Sequence, residues 1–286
     1  MTPVLRAAAL LVGSIILPSC SPVDALNATV AADGVTVQRD LAYAPGARHA
    51  MDIYRPAHAT GPAPLVLFIY GGAWSSGQKG DYKFVAVPLA RRGVVVAVAD
   101  YRLVPDVRFP AFLNDVAQAT AFAQSHAAEW GADPSRMFIM GHSAGGYNAL
   151  MVGLDPQYLA AAGVDRSKLA GVIGLATPAD FLPLDDPSTI AAFGQATDLP
   201  STQPVNFADG HNPPVLLLHG QSDTTVYLRN STALAARIRA AGGQATLITY
   251  PGIGHIGLVT SIAPLFDGRA PVLDDVVNFI HAQPPR

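Results

Sequence analysis

The chain has a single cysteine among its 286 residues, so no disulfide can form within it. Charge is also sparse: charged residues make up 14% of the sequence, and the formal balance is -3 at pH 7. No block of lysine and arginine stands out. That excludes the cationic surface from which nucleic-acid affinity mainly comes. No cysteine–histidine cluster offers a structural zinc site. There is no repeat period, and no low-complexity block interrupts the middle of the chain, which sets solenoids aside.

What is present is a hydrophobic half: 50% of the residues are apolar, ample for one large domain or two small ones. The N-terminus reads separately. MTPVLR supplies one arginine, and AAALLVGSIIL follows as an apolar run of about eleven residues, too short to span a bilayer. LPSC comes next, Leu17 to Cys20. A charged start, a short apolar core and a small residue before cysteine resemble a bacterial lipoprotein signal. Residues 1–19 are then the signal, Cys20 the lipid attachment point and residues 20–34 a tether. On that reading the protein is exported and held to a membrane, facing periplasm or exterior, through the lipid alone. The alternative is an ordinary secretory signal with an incidental cysteine.

From residue 35 to the C-terminus, apolar and β-branched runs recur between turn signals. VTVQRDLAY and HAMDIYRP read as an antiparallel pair around PGAR. PLVLFIY, VVVAVADY, RMFIM, GVIGLAT, PVLLLHG and ATLITYP are continuous apolar runs, as strands covered on both faces require. Helical spacing fills the intervals near 79–92, 110–130, 143–154, 226–241 and 271–282. This alternation predicts an α/β domain over 35–286, with a mostly parallel sheet of about eight strands and helices on both faces. Residues 178–213 break the rhythm, being rich in proline, aspartate and small residues. They are expected to be an excursion at the active-site end with a short helix, not a cap domain.

FIMGHSAGGY, Phe138 to Tyr147, places Ser143 where the RMFIM strand turns into the helix that follows. G-x-S-x-G in that context is a nucleophile elbow, in which Gly141 and Gly145 avoid collisions across the turn. Gly146 lets the helix pack on its neighbouring strand. A serine hydroxyl needs a base to take its proton, and histidine suits. Of eight histidines, His255 in PGIGHIG lies in a glycine-flanked loop after the last strand, with His211 in the excursion as rival. His219 ends an apolar strand and reads as a satisfied core or rim histidine. The imidazole needs an acceptor behind it, and Asp223 in HGQSDTTV follows another strand. Asp223 also reads as an N-cap for a helix starting near Val226. Asp180, Asp185, Asp186 and Asp209 read as turn or cap residues. The order Ser143, Asp223, His255 matches that of one known hydrolase architecture. Oxyanion donors are expected from the backbone N–H of Ala144 and from YGGAW, at Gly72 and Ala73.

DIYRP, LFIYGGAWSSG, VVVAVADYRL, GHSAGGYNAL, HGQSDTTV and GIGHIGL resemble the α/β-hydrolase superfamily. The nearest branch is that of the hormone-sensitive-lipase-like and feruloyl-esterase-like carboxylesterases. The stretches cover most of residues 51–258. In the family's oxyanion motif Tyr70 stands for the usual histidine and Ala73 for a third glycine. The resemblance implies a cofactor-free serine hydrolase of small or medium esters, with an open cleft roofed by 178–213. Asp100-Tyr101-Arg102, another family pattern, reads as a structural fixture beside the sheet. Trp74 and Tyr147 read either as cleft walls or as core packing. Two rival functions use the same residues: an arylformamidase or peptidase, and a ligand-binding lipoprotein without catalysis.

Overall fold

The computed structural model describes residues 21–286; the expected signal segment 1–19 and Cys20 lie outside the described residues. Eight strands form one sheet: β1 (Val35–Ala42), β2 (Ala50–Pro56), β3 (Ala63–Ile69), β4 (Val95–Ala99), β5 (Ala132–His142), β6 (Leu169–Leu175), β7 (Val215–Gly220) and β8 (Ala245–Tyr250). Their spatial order is β1-β2-β4-β3-β5-β6-β7-β8. β2 alone runs against the rest, pairing antiparallel with β1 and β4. The other neighbours pair parallel. Every residue of β3, β4, β6 and β7 is buried, which is why those segments read as unbroken apolar runs. The edge strands β1 and β8 instead mix exposed and half-buried positions.

Nine helices are described: α1 (Pro22–Ala28), α2 (Lys83–Arg91), α3 (Ala111–His126), α4 (Ala144–Leu154), α5 (Pro156–Ala161), α6 (Pro187–Phe193), α7 (Arg229–Ala240), α8 (His255–Thr260) and α9 (Val272–Ala282). On one face α2 touches α1, α8 and α9; on the other α3, α4 and α5 touch one another. The alternation read from the sequence is therefore the architecture of the folded chain.

Several local expectations need correction. Residues 22–28, expected within a loose tether, form α1. Ser21 accepts the Asp24 N–H while Asp24 reaches back to the Ser21 backbone, a reciprocal cap that starts the helix. Asn27 then ties it down: its amide donates to the Gly80 and Asp81 carbonyls, and its side-chain oxygen accepts the Phe84 N–H. The segment 79–92 divides into a single 3-10 turn over Lys79–Tyr82 and α2. α3 stops at His126, and a separate turn over Ala127–Trp130 ends at Gly131 with φ 74°. The helix expected near Val226 begins at Arg229.

The excursion contains α6 and two short 3-10 turns. It is pinned from outside by Asn230, which accepts the N–H groups of Ala179 and Asp180, and from within by Gln203, which accepts that of Phe181. Tyr147 donates its hydroxyl to the Thr202 carbonyl and is fully buried, so it packs and does not face the cleft.

Candidate active site

The parallel strands β3, β5, β6, β7 and β8 stand side by side, so the loops leaving their carboxyl ends gather on one rim. Ser143 leaves β5 with φ 54° and ψ −123°. A non-glycine residue there stores roughly 1–3 kcal/mol of strain, and the tight turn is what exposes the hydroxyl. The flanking glycines are obligatory. A Cβ on Gly141 would stand 2.3 Å from the Gly145 carbonyl oxygen, and one on Gly145 would stand 2.2 Å from that of Ile69. A Cβ on Gly146 would meet the Thr177 hydroxyl at 2.4 Å, the close helix–strand approach expected there.

His255 Nε2 lies 2.9 Å from Ser143 Oγ, and its Nδ1 lies 2.8 Å from Asp223 Oδ2. An ionised carboxylate only accepts, so Nδ1 carries the proton and Nε2 is left to accept from the serine hydroxyl. His255 is not in a loop, as expected, but is the first residue of α8, following the extended Gly254. Asp223 is buried, which opposes its ionisation. Its hydrogen bonds to the His255 ring and to the Val226 and Thr225 amides outweigh this and hold the carboxyl below the usual carboxylate value. The two readings of Asp223 therefore coexist: Oδ2 faces the imidazole, and Oδ1 accepts the Thr225 and Val226 N–H groups at 2.9 Å each.

The other histidines separate cleanly. His211 is exposed and does not line the cleft; its backbone N–H donates to Asp209. His219 is satisfied inside the core, between the Ser231 hydroxyl and the Val226 carbonyl. Asp186 caps α6 through the Ser188 N–H, and Asp185 is an exposed cleft residue.

His142 adjoins Ser143 at the sharp turn, where neighbouring side chains are expected to diverge. Its ring lies 4.8 Å from that of His255, tilted by 40°, and its Nε2 lies 3.3 Å from the His255 carbonyl oxygen. Burial, reinforced by the neighbouring His255, pushes its pKa down to about 3, so it is neutral and Nε2–H donates to that carbonyl. The signal available in the sequence was only its adjacency to the serine.

The cleft beside Ser143 has a volume of about 190 Å³. Ala73, Trp74 and Ala144 line it with the serine, as do Phe181 and Tyr227. Ala144 is the first residue of α4, where the N–H has no intrahelical acceptor. Among the described residues, no protein acceptor takes the N–H of Gly72 or Ala73. Gly72 has φ 126° and lines an adjacent cavity instead of this cleft. Ala73 and Trp74 are both left-handed, at φ 51° and 57°. Trp74 is at once wall and core: it is 2% exposed, and its indole N–H donates to Asn148.

Tyr70 supports this loop in place of the family's histidine. Its hydroxyl donates to Asp100 at 2.9 Å and accepts from Arg48 at 2.6 Å. Arg48 also donates to the Gly77 and Tyr101 carbonyls, and Asp100 accepts the Lys79 N–H. Arg102 completes the structural role expected of its tripeptide by forking onto Asp115. Arg48, far upstream in the β1–β2 turn, carried no sequence signal for this task.

The sequence model of the BD-FAE family matches residues 51–238. Isoprenylcysteine alpha-carbonyl methylesterase ICME of Arabidopsis thaliana is 28% identical, over 86% of this chain and 62% of its own. Esterase LipC of Mycobacterium tuberculosis is also 28% identical, over 76% of this chain and 59% of its own. The chain thus spans less than two thirds of these curated relatives. The solved structure of Esterase B from Lactobacillus rhamnosis superposes with a TM-score of 0.76 at 22% identity, covering 91% of this chain and 92% of the other, and shares the fold. With its parallel sheet, sharp serine turn and matched segment together, the chain belongs to the BD-FAE family and has the α/β-hydrolase fold.

Proposed function

We propose that the protein is a serine hydrolase of carboxylic esters working through an acyl-enzyme. The observation that carries this reading is the continuous chain from Ser143 Oγ through His255 to Asp223, at 2.9 and 2.8 Å, beside an open cleft. Ser143 attacks the ester carbonyl while His255 Nε2 takes its proton. Asp223 stays ionised and steadies the imidazolium. The N–H groups of Ala73 and Ala144, with Gly72 as a third candidate, meet the oxyanion. His255 then protonates the departing alkoxide, and water activated by the same nitrogen releases the acid. The relatives named above are esterases by name, which favours esters over the amides and formamides that the same groups can cleave.

Replacing Ser143 by alanine is expected to lower p-nitrophenyl butyrate turnover by about 10⁴-fold or more, without unfolding the chain. Covalent labelling by a fluorophosphonate is lost with it. Retained turnover in the variant overturns the assignment. A native protein that takes no label and cleaves no ester returns it to the ligand-binding class. We also propose Cys20 as a lipid attachment site, which mass analysis of membrane-extracted protein tests; an unmodified thiol removes the claim.

A further inference from the structure

A second cavity, of about 370 Å³, adjoins the serine turn from the other side. That volume lies within the roughly 300–1,000 Å³ range of small-molecule sites. Gly71, Gly72 and His142 form its floor, directly before the Ala73 and Ser143 that line the first cleft. Ile256, Val259 and Thr260 of α8 form one wall, Tyr82 and Phe84 another, and Val23 and Leu26 of α1 close it from outside. Most of its polar side chains are already engaged, although the buried Nδ1 of His142 finds no partner among the described residues. Asp81 accepts from Gln78, Ser76 donates to the Gly72 carbonyl, and Thr260 donates to the Ile256 carbonyl. Among the described residues, no lysine or arginine lines it. A polyhydroxylated group would find few free partners there; a hydrocarbon would find apolar walls. Ile256, next to His255, stands 63% exposed at its edge.

Which arm of an ester enters this cavity follows from proton transfer. When the tetrahedral intermediate collapses, the bond from the acyl carbon to the alkoxy oxygen breaks, and that oxygen takes the proton from His255 Nε2. It must therefore lie within hydrogen-bond reach of that nitrogen. The second cavity is walled by the residues that follow His255 in α8, whereas none of them lines the first cleft. The first cleft is the smaller one, and Asp185, Asp186 and Arg229 make its lining more polar.

Resting on the ester-hydrolase reading, we propose that the cavity under α1 is the subsite for the alcohol part of the substrate, and that it selects esters of apolar alcohols carrying a short acyl group. Helix α1 is then a specificity element as well as a cap on the fold.

The test compares ethyl acetate, hexyl acetate and methyl heptanoate on the full chain; the last two are isomers with the hydrocarbon on opposite arms. Hexyl acetate is expected to exceed both others in kcat/KM by roughly tenfold or more, the discrimination that a hydrophobic pocket delivers. Val23→Trp, which fills the cavity from the half-buried side of α1, is expected to lower the hexyl-to-ethyl ratio about tenfold. A preference for methyl heptanoate that Val23→Trp removes means the cavity holds the acyl arm, and overturns the assignment. A ratio that Val23→Trp does not move overturns it too. Should that variant not fold, the isomer comparison on the native chain decides alone. Ethyl acetate turnover abolished by Ser143→Ala keeps the hydrolase reading intact whatever the chain-length result. Absence of turnover for all three esters removes both.

Discussion

Asp223 divides its carboxylate, giving one oxygen to His255 Nδ1 at 2.8 Å and the other to the amides that open the turn before α7. The two duties respond differently to substitution. Asp223→Asn keeps an oxygen for the amides but offers the imidazole an N–H, which favours the wrong tautomer. Turnover is expected to fall by about 10³–10⁴-fold with little change in unfolding midpoint. Asp223→Ala removes both contacts and is expected to cost an additional ~0.5–2 kcal/mol of stability. Steady-state kinetics beside urea unfolding separates the two; equal stability losses in both variants contradict the division.

Arg48 holds the loop that carries the proposed oxyanion donors, through Tyr70 and the Gly77 carbonyl. Arg48→Met is therefore expected to reduce kcat by about 10–100-fold while KM changes little, since only the transition state uses that loop geometry. Arg48→Lys, which keeps a donor, recovers part of the loss. A change confined to KM contradicts a positioning role.

Burial lowers the pKa of His142 to about 3 and also lowers that of His219. The unfolded chain binds these protons near the ordinary histidine pKa of about 6.5, and the folded chain does not. Stability is thus fully present above about 6.5 and declines as pH falls toward 3, by up to about 1.4 kcal/mol per pH unit for His142. The ionised Asp223 adds a loss of the same sign below about pH 4. Urea unfolding at pH 7 and pH 5 is expected to show this decline, and His142→Gln to reduce it. An identical slope in the variant shows that His142 does not carry the effect.

Gly145→Ala drives a methyl group to within 2.2 and 2.3 Å of the Ile69 and Tyr70 carbonyl oxygens, backbone atoms that cannot swing aside. The expected loss is ~3 kcal/mol or more, seen as a lowered Tm or loss of soluble protein. Gly61→Ala, in open space without a left-handed backbone, is expected to be neutral or slightly stabilising. Equal tolerance of both substitutions contradicts the close approach at the serine turn.

Much of the site was legible because its signals are local. A turn too tight for side chains demands glycine at 141 and 145, and a strand buried on both faces demands an unbroken apolar run. Both demands act within a few residues, so the chain order of Ser143, Asp223 and His255 at strand ends could be read along the sequence. Other features were not legible. The tether expected over 20–34 hides a helix, because Asn27 finds its partners more than fifty residues away. Arg48 reaches Tyr70 and Gly77 from a turn whose own sequence says only that the chain reverses.

The sequence by itself determined the alternation of strands and helices, the position of the strained serine and the types of residue at the rim. Tertiary structure alone decided that a serine and a histidine 112 residues apart come within 2.9 Å, that His142 lies neutral beneath them, and that α1 encloses a second cavity. The physical reason is range. Backbone periodicity and turn sterics act between neighbours in the chain, whereas the meeting of distant loops is set by the order in which the strands pair and by how the helices pack upon them.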